Sequence, residues 1–109
     1  MANIYKNTKT DLTAASATTE YTVPSDSRSI VKSILVNDDS GSGDTITLTL
    51  TNAAGTVFSL FKVKAVAANT TVELLTNPLI MMESEILKAT PATGNRLHIV
   101  VSMLEMNRS

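Results

Sequence analysis

Between residues 44 and 51 apolar and hydroxyl side chains alternate without a break. Ile46, Leu48 and Leu50 fall on one side, and Thr45, Thr47, Thr49 and Thr51 on the other. A period of two predicts a strand with one face in a core and one face of hydroxyls. Asn52-Ala53-Ala54-Gly55 supplies turn residues, with Gly55 able to take a positive φ. The run from residue 56 to 64 then predicts the return strand of a β-hairpin. In it Phe58 and Leu60 are expected to join the inward row, leaving Phe61 and Val63 outside.

The same reading extends over the rest of the chain. Residues 28–37 form the next strong strand, with Ile30, Ile34 and Val36 on one face and Val31 and Leu35 on the other. Residues 97–104 alternate Leu97, Ile99, Val101 and Met103 against His98, Val100, Ser102 and Leu104. Shorter strands are expected at residues 19–23, 71–75, 79–82 and 85–89, separated by Pro24, the Gly-Ser loop at 37–44, Asn77-Pro78 and the loop at 90–95. Residues 1–27 are the least organised stretch. They read as an N-terminal arm with the first short strands, either pairing at a sheet edge or reaching onto a neighbour, ahead of a sandwich over residues 28–109. About eight short strands at regular spacing, with no helical period, predict an all-β fold: a single antiparallel β-sandwich, jelly-roll or Ig-like, or a small barrel.

Three strands carry apolar residues on both faces: Val31 with Leu35, Phe61 with Val63, and Val100 with Leu104. A lone two-layer sandwich needs only one apolar face per strand. Either loops or the N-terminal arm cover these second faces, or the faces meet a partner subunit. The six residues are the candidate interface.

Composition narrows the class. At 109 residues the chain makes one domain that buries roughly 65% of its unfolded surface. Threonine is the commonest residue, and Trp and Cys are absent. That composition favours strands and removes disulfides and thiolate zinc sites from consideration. Nine basic and ten acidic residues give a net charge of −1 with no run of either sign. This balance argues against nucleic acid or a membrane surface as partner, since both call for a basic stripe. The polar N-terminal residues and the lack of a long apolar run lead us to expect neither a secretion signal nor a membrane span. The expected location is the cytoplasm of the producing cell, left only as part of a particle.

No catalytic constellation emerges. His98 is the sole histidine, mid-strand, with no cysteine nucleophile to serve. Asp38, Asp39 and Asp44 share a Gly-Ser loop, but their spacing does not match a helix–loop–helix calcium motif and no bidentate glutamate follows. Gly41-Ser42-Gly43 lacks the lysine and helix of a phosphate-cradling loop. Glu83 and Glu85 have no carboxylate opposite them across a cleft, and Tyr5, Tyr21, Phe58 and Phe61 are too dispersed for a stacking platform. The expectation is therefore a non-enzyme with no metal, no cofactor and no small-molecule substrate.

Read end to end, the chain resembles small virion structural proteins of tailed bacteriophages. The resemblance is carried by Tyr21-Thr22-Val23-Pro24, by Val31-Lys32-Ser33-Ile34, by residues 44–62 and 68–75, and by residues 79–106 with Leu97-His98-Ile99. Where such proteins carry a Glu-Gly-Asp turn, this chain has Glu83-Ser84-Glu85. The resemblance implies a β-sandwich present in many copies on a virus particle. It would decorate or cement the capsid shell through apolar contacts, with the major capsid protein or other virion proteins as partners and a homo-oligomeric state. A neck, tail or fibre-attachment role in the same virion is the alternative, and a carbohydrate-binding module ranks behind both.

Overall fold

The computed structural model describes residues 2–107. Nine strands follow one another: β1 (Ala2–Leu12), β2 (Thr18–Thr22), β3 (Ser27–Asp38), β4 (Asp44–Thr51), β5 (Val57–Val66), β6 (Thr70–Glu73), β7 (Leu79–Met81), β8 (Ile86–Pro91) and β9 (Leu97–Asn107). They form two antiparallel sheets. The first has the order β1-β9-β3-β6, with β7 also paired to β3; the second has the order β2-β8-β4-β5. The fold is all-β, a two-sheet sandwich.

The connectivity has a simple origin. Four antiparallel pairs are nested in sequence: β4 with β5, β3 with β6, β2 with β8, and β1 with β9. A long two-stranded ribbon of this kind cannot bury an apolar face while flat, so it rolls up. Rolling brings β9 beside β3 and β8 beside β4, which closes the two sheets. This is the jelly-roll arrangement among double-sheet folds. The hairpin of β4 and β5 is the tip of the ribbon. Its loop is closed by Asn52, whose N–H donates to the Thr56 carbonyl at 3.0 Å and whose Oδ1 accepts from the N–H groups of Ala54 and Thr56. Gly55 takes φ 90° there.

The core lies between the sheets. Val31, Ile34 and Val36 of β3 and Leu97, Ile99 and Val101 of β9 face Ile46 and Leu48 of β4 and Leu87 of β8, all at 0% exposure. Each such side chain contributes about 1.5–3 kcal/mol by leaving water. The alternation expected for β9 is present along its whole length.

Three departures from simple alternation come from β-bulges. In β3 the register against β9 shifts between Val31 and Ser33, making Lys32 an extra residue. One added residue flips every side chain beyond it to the other face. Val31 therefore shares the core with Ile34 and Val36, while Ile30 turns outward with Leu35. The expectation that Ile30 and Val31 lie on the core and outer faces respectively is thus reversed. In β5 two register shifts against β4 pair Leu48 with Phe61 and Leu50 with Phe58. Phe61 packs against the core beside Leu60, and Phe58 is left 51% exposed. In β2 the shift between Thr19 and Tyr21 leaves both Glu20 and Tyr21 buried.

Residues 2–27 are not an appendage. β1 pairs with β9 over eleven residues of the same chain, and Leu12 is buried in the core. Val23 is buried as well, and its N–H donates to the Glu85 carbonyl. The turn at Glu83-Ser84-Glu85 places Ser84 at φ 69°, a left-handed conformation that suits the glycine of the resembling pattern.

Candidate interaction face

The outer face of the first sheet is organised by register. Directly opposed residues in an antiparallel sheet share a face, so cross-strand partners form rows perpendicular to the strands. One row runs Tyr5, Leu104, Ile30 and Ile80 across β1, β9, β3 and β7. A second row runs Lys9, Val100, Leu35 and Glu73. Between them lies a row of small polar side chains, Asn7, Ser102 and Ser33. At one end the face finishes in Asn3, Met106 and Arg28, and at the other in Asp11, His98, Asn37 and Thr71.

Exposure identifies the face as unpartnered. Tyr5 is 74% exposed, Ile80 54% and Leu35 38%, while Leu104, Ile30 and Val100 are half-buried between neighbouring strands. The short middle row leaves a hollow of about 350 Å³ lined by Tyr5, Lys6, Asn7, Lys32, Ser102 and Met103. Lys32, the bulge residue, stands exposed at its edge.

Charge is segregated along the strands. Arg28 is at one end, and Asp11 and Asp39 flank His98 at the other, with Asp11 Oδ1 3.2 Å from Nε2 and Asp39 Oδ2 3.6 Å from Nδ1. Glu73 faces this side too, but its carboxylate is taken up by the Ser33 hydroxyl and by the N–H groups of Ile34 and Leu75. Among the described residues no ion pair engages Arg28, Lys32 or Lys9.

The edge strand carrying Tyr5 is fixed to the sandwich by a buried polar network. The Tyr21 hydroxyl donates to Glu105 Oε2 at 2.6 Å and also bonds to the Ser29 hydroxyl. Lys6 of β1 reaches the same Glu105 oxygen at 3.3 Å. Four strands from both sheets thus meet at one carboxylate. Burial, reinforced by the hydrogen bond to Glu105, pushes the Tyr21 hydroxyl's pKa far above its ordinary value, against a smaller opposing effect of Ser29. Next to it in sequence, Glu20 is buried with neither carboxylate oxygen in a hydrogen bond of acceptable geometry. Burial raises its pKa, and the nearby Thr10 side chain offsets only part of that.

The six candidate interface residues separate into three groups. Leu35, Val100 and Leu104 are brought together on the outer face of the first sheet. Val31 is fully buried, and Phe61 is half-buried with its packing directed onto the core. Val63 is 60% exposed but belongs to the β5 edge of the second sheet, where Val57 and Phe58 are also exposed. Tyr5, Ile30 and Ile80 were missed. Only the register, which aligns residues far apart in the chain, assembles them.

The other chemistry-bearing residues serve the fold. Asp38 Oδ1 accepts from the Ser40 N–H and hydroxyl, Asp44 Oδ2 accepts from the Thr93 N–H, and Glu85 Oε1 accepts from the Met82 N–H. Among the described residues no group of three or more His, Cys, Asp or Glu side chains is arranged to hold a metal ion. Among the described residues no helix is long and apolar enough to cross a membrane. Comparison with known proteins finds no family model and no curated protein that matches this chain. What fold and face together define is a jelly-roll sandwich with an exposed apolar row on the outer side of its first sheet.

Proposed function

We propose that the protein is a non-enzymatic structural component of a bacteriophage virion, acting as a decoration or cement protein on the outer capsid shell in many copies. The observation that carries this reading is that apolar side chains stand exposed on two separate surfaces of a sandwich whose core is already filled. One is the Tyr5–Leu104–Ile30–Ile80 row, and the other is the β5 edge with Val57, Phe58 and Val63. A cement needs two contacts, one between copies and one to the shell. Patches that a monomer does not cover are the usual form of such contacts. The jelly-roll topology adds a fold-level analogy only, because viral capsid and lectin domains share it with unrelated proteins. The resemblance in the strand segments supplies the link to a virion.

Mechanistically, burying such patches across joints between shell subunits stabilises the assembled state by mass action, without a chemical step. The alternative placement is the neck, tail or a fibre attachment of the same particle. The test is co-sedimentation with emptied phage heads, followed by electron microscopy to locate the added density. Saturable binding to the outer shell is expected, weakened roughly 30-fold by Phe58→Lys through loss of about 2 kcal/mol of apolar burial. Density on the neck or tail would select the alternative. Failure to bind any part of the particle would remove the virion reading.

A further inference from the structure

We propose that the outer face of the first sheet is the interface of a symmetric dimer, in which two copies stack face to face and antiparallel. The inference rests on the reading of this face as adhesive and names its occupant, a second copy of this chain.

The argument is the pattern of rows along the strands. In order they are cationic (Arg28), apolar (Tyr5, Leu104, Ile30, Ile80), small and polar (Asn7, Ser102, Ser33), apolar between two charges (Lys9, Val100, Leu35, Glu73), and anionic (Asp11 and Asp39 about His98). On the two central strands the apolar pairs, Leu104 with Ile30 and Val100 with Leu35, stand symmetrically about the middle row, while the two end rows carry opposite charge. A two-fold axis lying in the interface, perpendicular to the strands and over the middle row, exchanges the ends. It sets the Tyr5–Leu104–Ile30–Ile80 row of one copy on the Lys9–Val100–Leu35–Glu73 row of the other, with Ile80 against the stem of a Glu73 whose carboxylate is held within its own sheet by Ser33, Ile34 and Leu75. Leu104 meets Val100, Ile30 meets Leu35, and Lys9 lies over the Tyr5 ring, a favourable cation–aromatic arrangement. Arg28 is carried to the Asp39 end of its partner. A self-complementary patch related by one two-fold axis is the defining geometry of an isologous dimer. A parallel stack would instead oppose like charges at both ends.

Size agrees. Five rows two residues apart span roughly 27 Å along the strands, and four strands about 19 Å across. The buried area is then on the order of 1,000–1,200 Å² in total, the low end for a specific interface, consistent with a reversible dimer of micromolar affinity. The two Lys32 side chains approach the axis, and the hollow over Asn7 and Ser102 receives them at some electrostatic cost. Removing that charge therefore tightens the dimer.

Sedimentation velocity of the full chain, from about 1 to 500 μM, reads the proposal directly. A monomer–dimer equilibrium is expected. Leu35→Lys and Tyr5→Ala, both at exposed positions, abolish or weaken it at least roughly tenfold while leaving the far-UV spectrum unchanged. Arg28→Asp and Asp39→Arg each weaken it about tenfold, and the two combined in one chain restore it to within about threefold of the wild type. Lys32→Ala strengthens it. A protein that stays monomeric throughout, or a dimer indifferent to Leu35→Lys and to the charge swap, overturns the proposal. If such a monomer still binds emptied heads, the face serves a different partner and the cement reading survives. If the dimer forms and no particle binds, the dimer stands and the virion reading falls.

Discussion

Replacing Tyr21 with Phe removes one oxygen atom and tests the junction that holds the two sheets and the β1 edge together. The Tyr21 hydroxyl and the Glu105 carboxylate are 6% and 7% exposed, and Ser29 is fully buried. The hydroxyl is the shorter of the two contacts to Glu105 Oε2, at 2.6 Å against 3.3 Å for Lys6. A hydrogen bond to a charged group contributes about 1.5–3 kcal/mol net, because its loss leaves a buried carboxylate underserved. Lys6 is 41% exposed, so solvent screening limits its pairing to at most about 1 kcal/mol and it cannot replace the lost donor. Tyr21→Phe should therefore cost about 2 kcal/mol at neutral pH. In urea, with m near 1.5 kcal/mol/M, the midpoint falls by about 1.3 M, and Tm falls by about 8 °C. In a Glu105→Met background the same substitution should cost under about 1 kcal/mol, since no charge remains for the hydroxyl to serve. Hydrogen exchange should show the Lys6 end of β1 losing protection first. A loss below about 0.5 kcal/mol, or an equal loss in both backgrounds, would refute the reasoning.

Three further outcomes follow from burial and backbone geometry. Burial raises the pKa of Glu20, so the native state holds its proton more tightly than the unfolded chain; stability from this group is full below the unfolded value of 4.5 and declines as pH rises through the raised native value. Glu20→Gln should thus be close to neutral near pH 4 and stabilising near pH 7.5, and urea unfolding giving the same difference at both pH values would contradict this. Val31→Ala should cost about 2 kcal/mol and Leu35→Ala about 1, because the β3 bulge buries the first and leaves the second 38% exposed; the reverse ranking in chemical denaturation would mean the bulge is absent. Val63 and Ser84 hold φ of 53° and 69°, so Val63→Gly should stabilise by about 1 kcal/mol and Ser84→Gly by less, as Tm shifts would show.

The strands themselves were legible in the chain because each depends on nearest-neighbour alternation. Ile46-Thr47-Leu48 and Leu97 to Leu104 state their inward and outward sides through side-chain type alone. The hairpin loop was legible for the same local reason, since Asn52 and Gly55 carry their turn preferences with them. Face assignment failed where a bulge intervened. Nothing in Val31-Lys32-Ser33 announces an extra residue, which is recognised only against the unbroken partner β9. Phe61 was misplaced for that reason too, since two shifts against β4 turn it toward Leu48.

The N-terminal segment shows the other limit. Residues 2–12 have weak strand character, their charged and amide side chains including Asn3, Lys6, Asn7 and Lys9. With Asp11 these make five charged or amide side chains, and the segment becomes an eleven-residue strand because β9 offers a full ladder of backbone partners. The sequence by itself therefore determined an all-β sandwich, the core rows of the strands β4 and β9 and the tip of its ribbon. Only the tertiary structure decided which residues share the outer face. Tyr5, Ile30, Ile80 and Leu104 come from four strands spread over the whole chain, and the rolled ribbon and its bulge bring them into one row. Register is a property of strand pairs, so a surface built from it cannot be read along one strand.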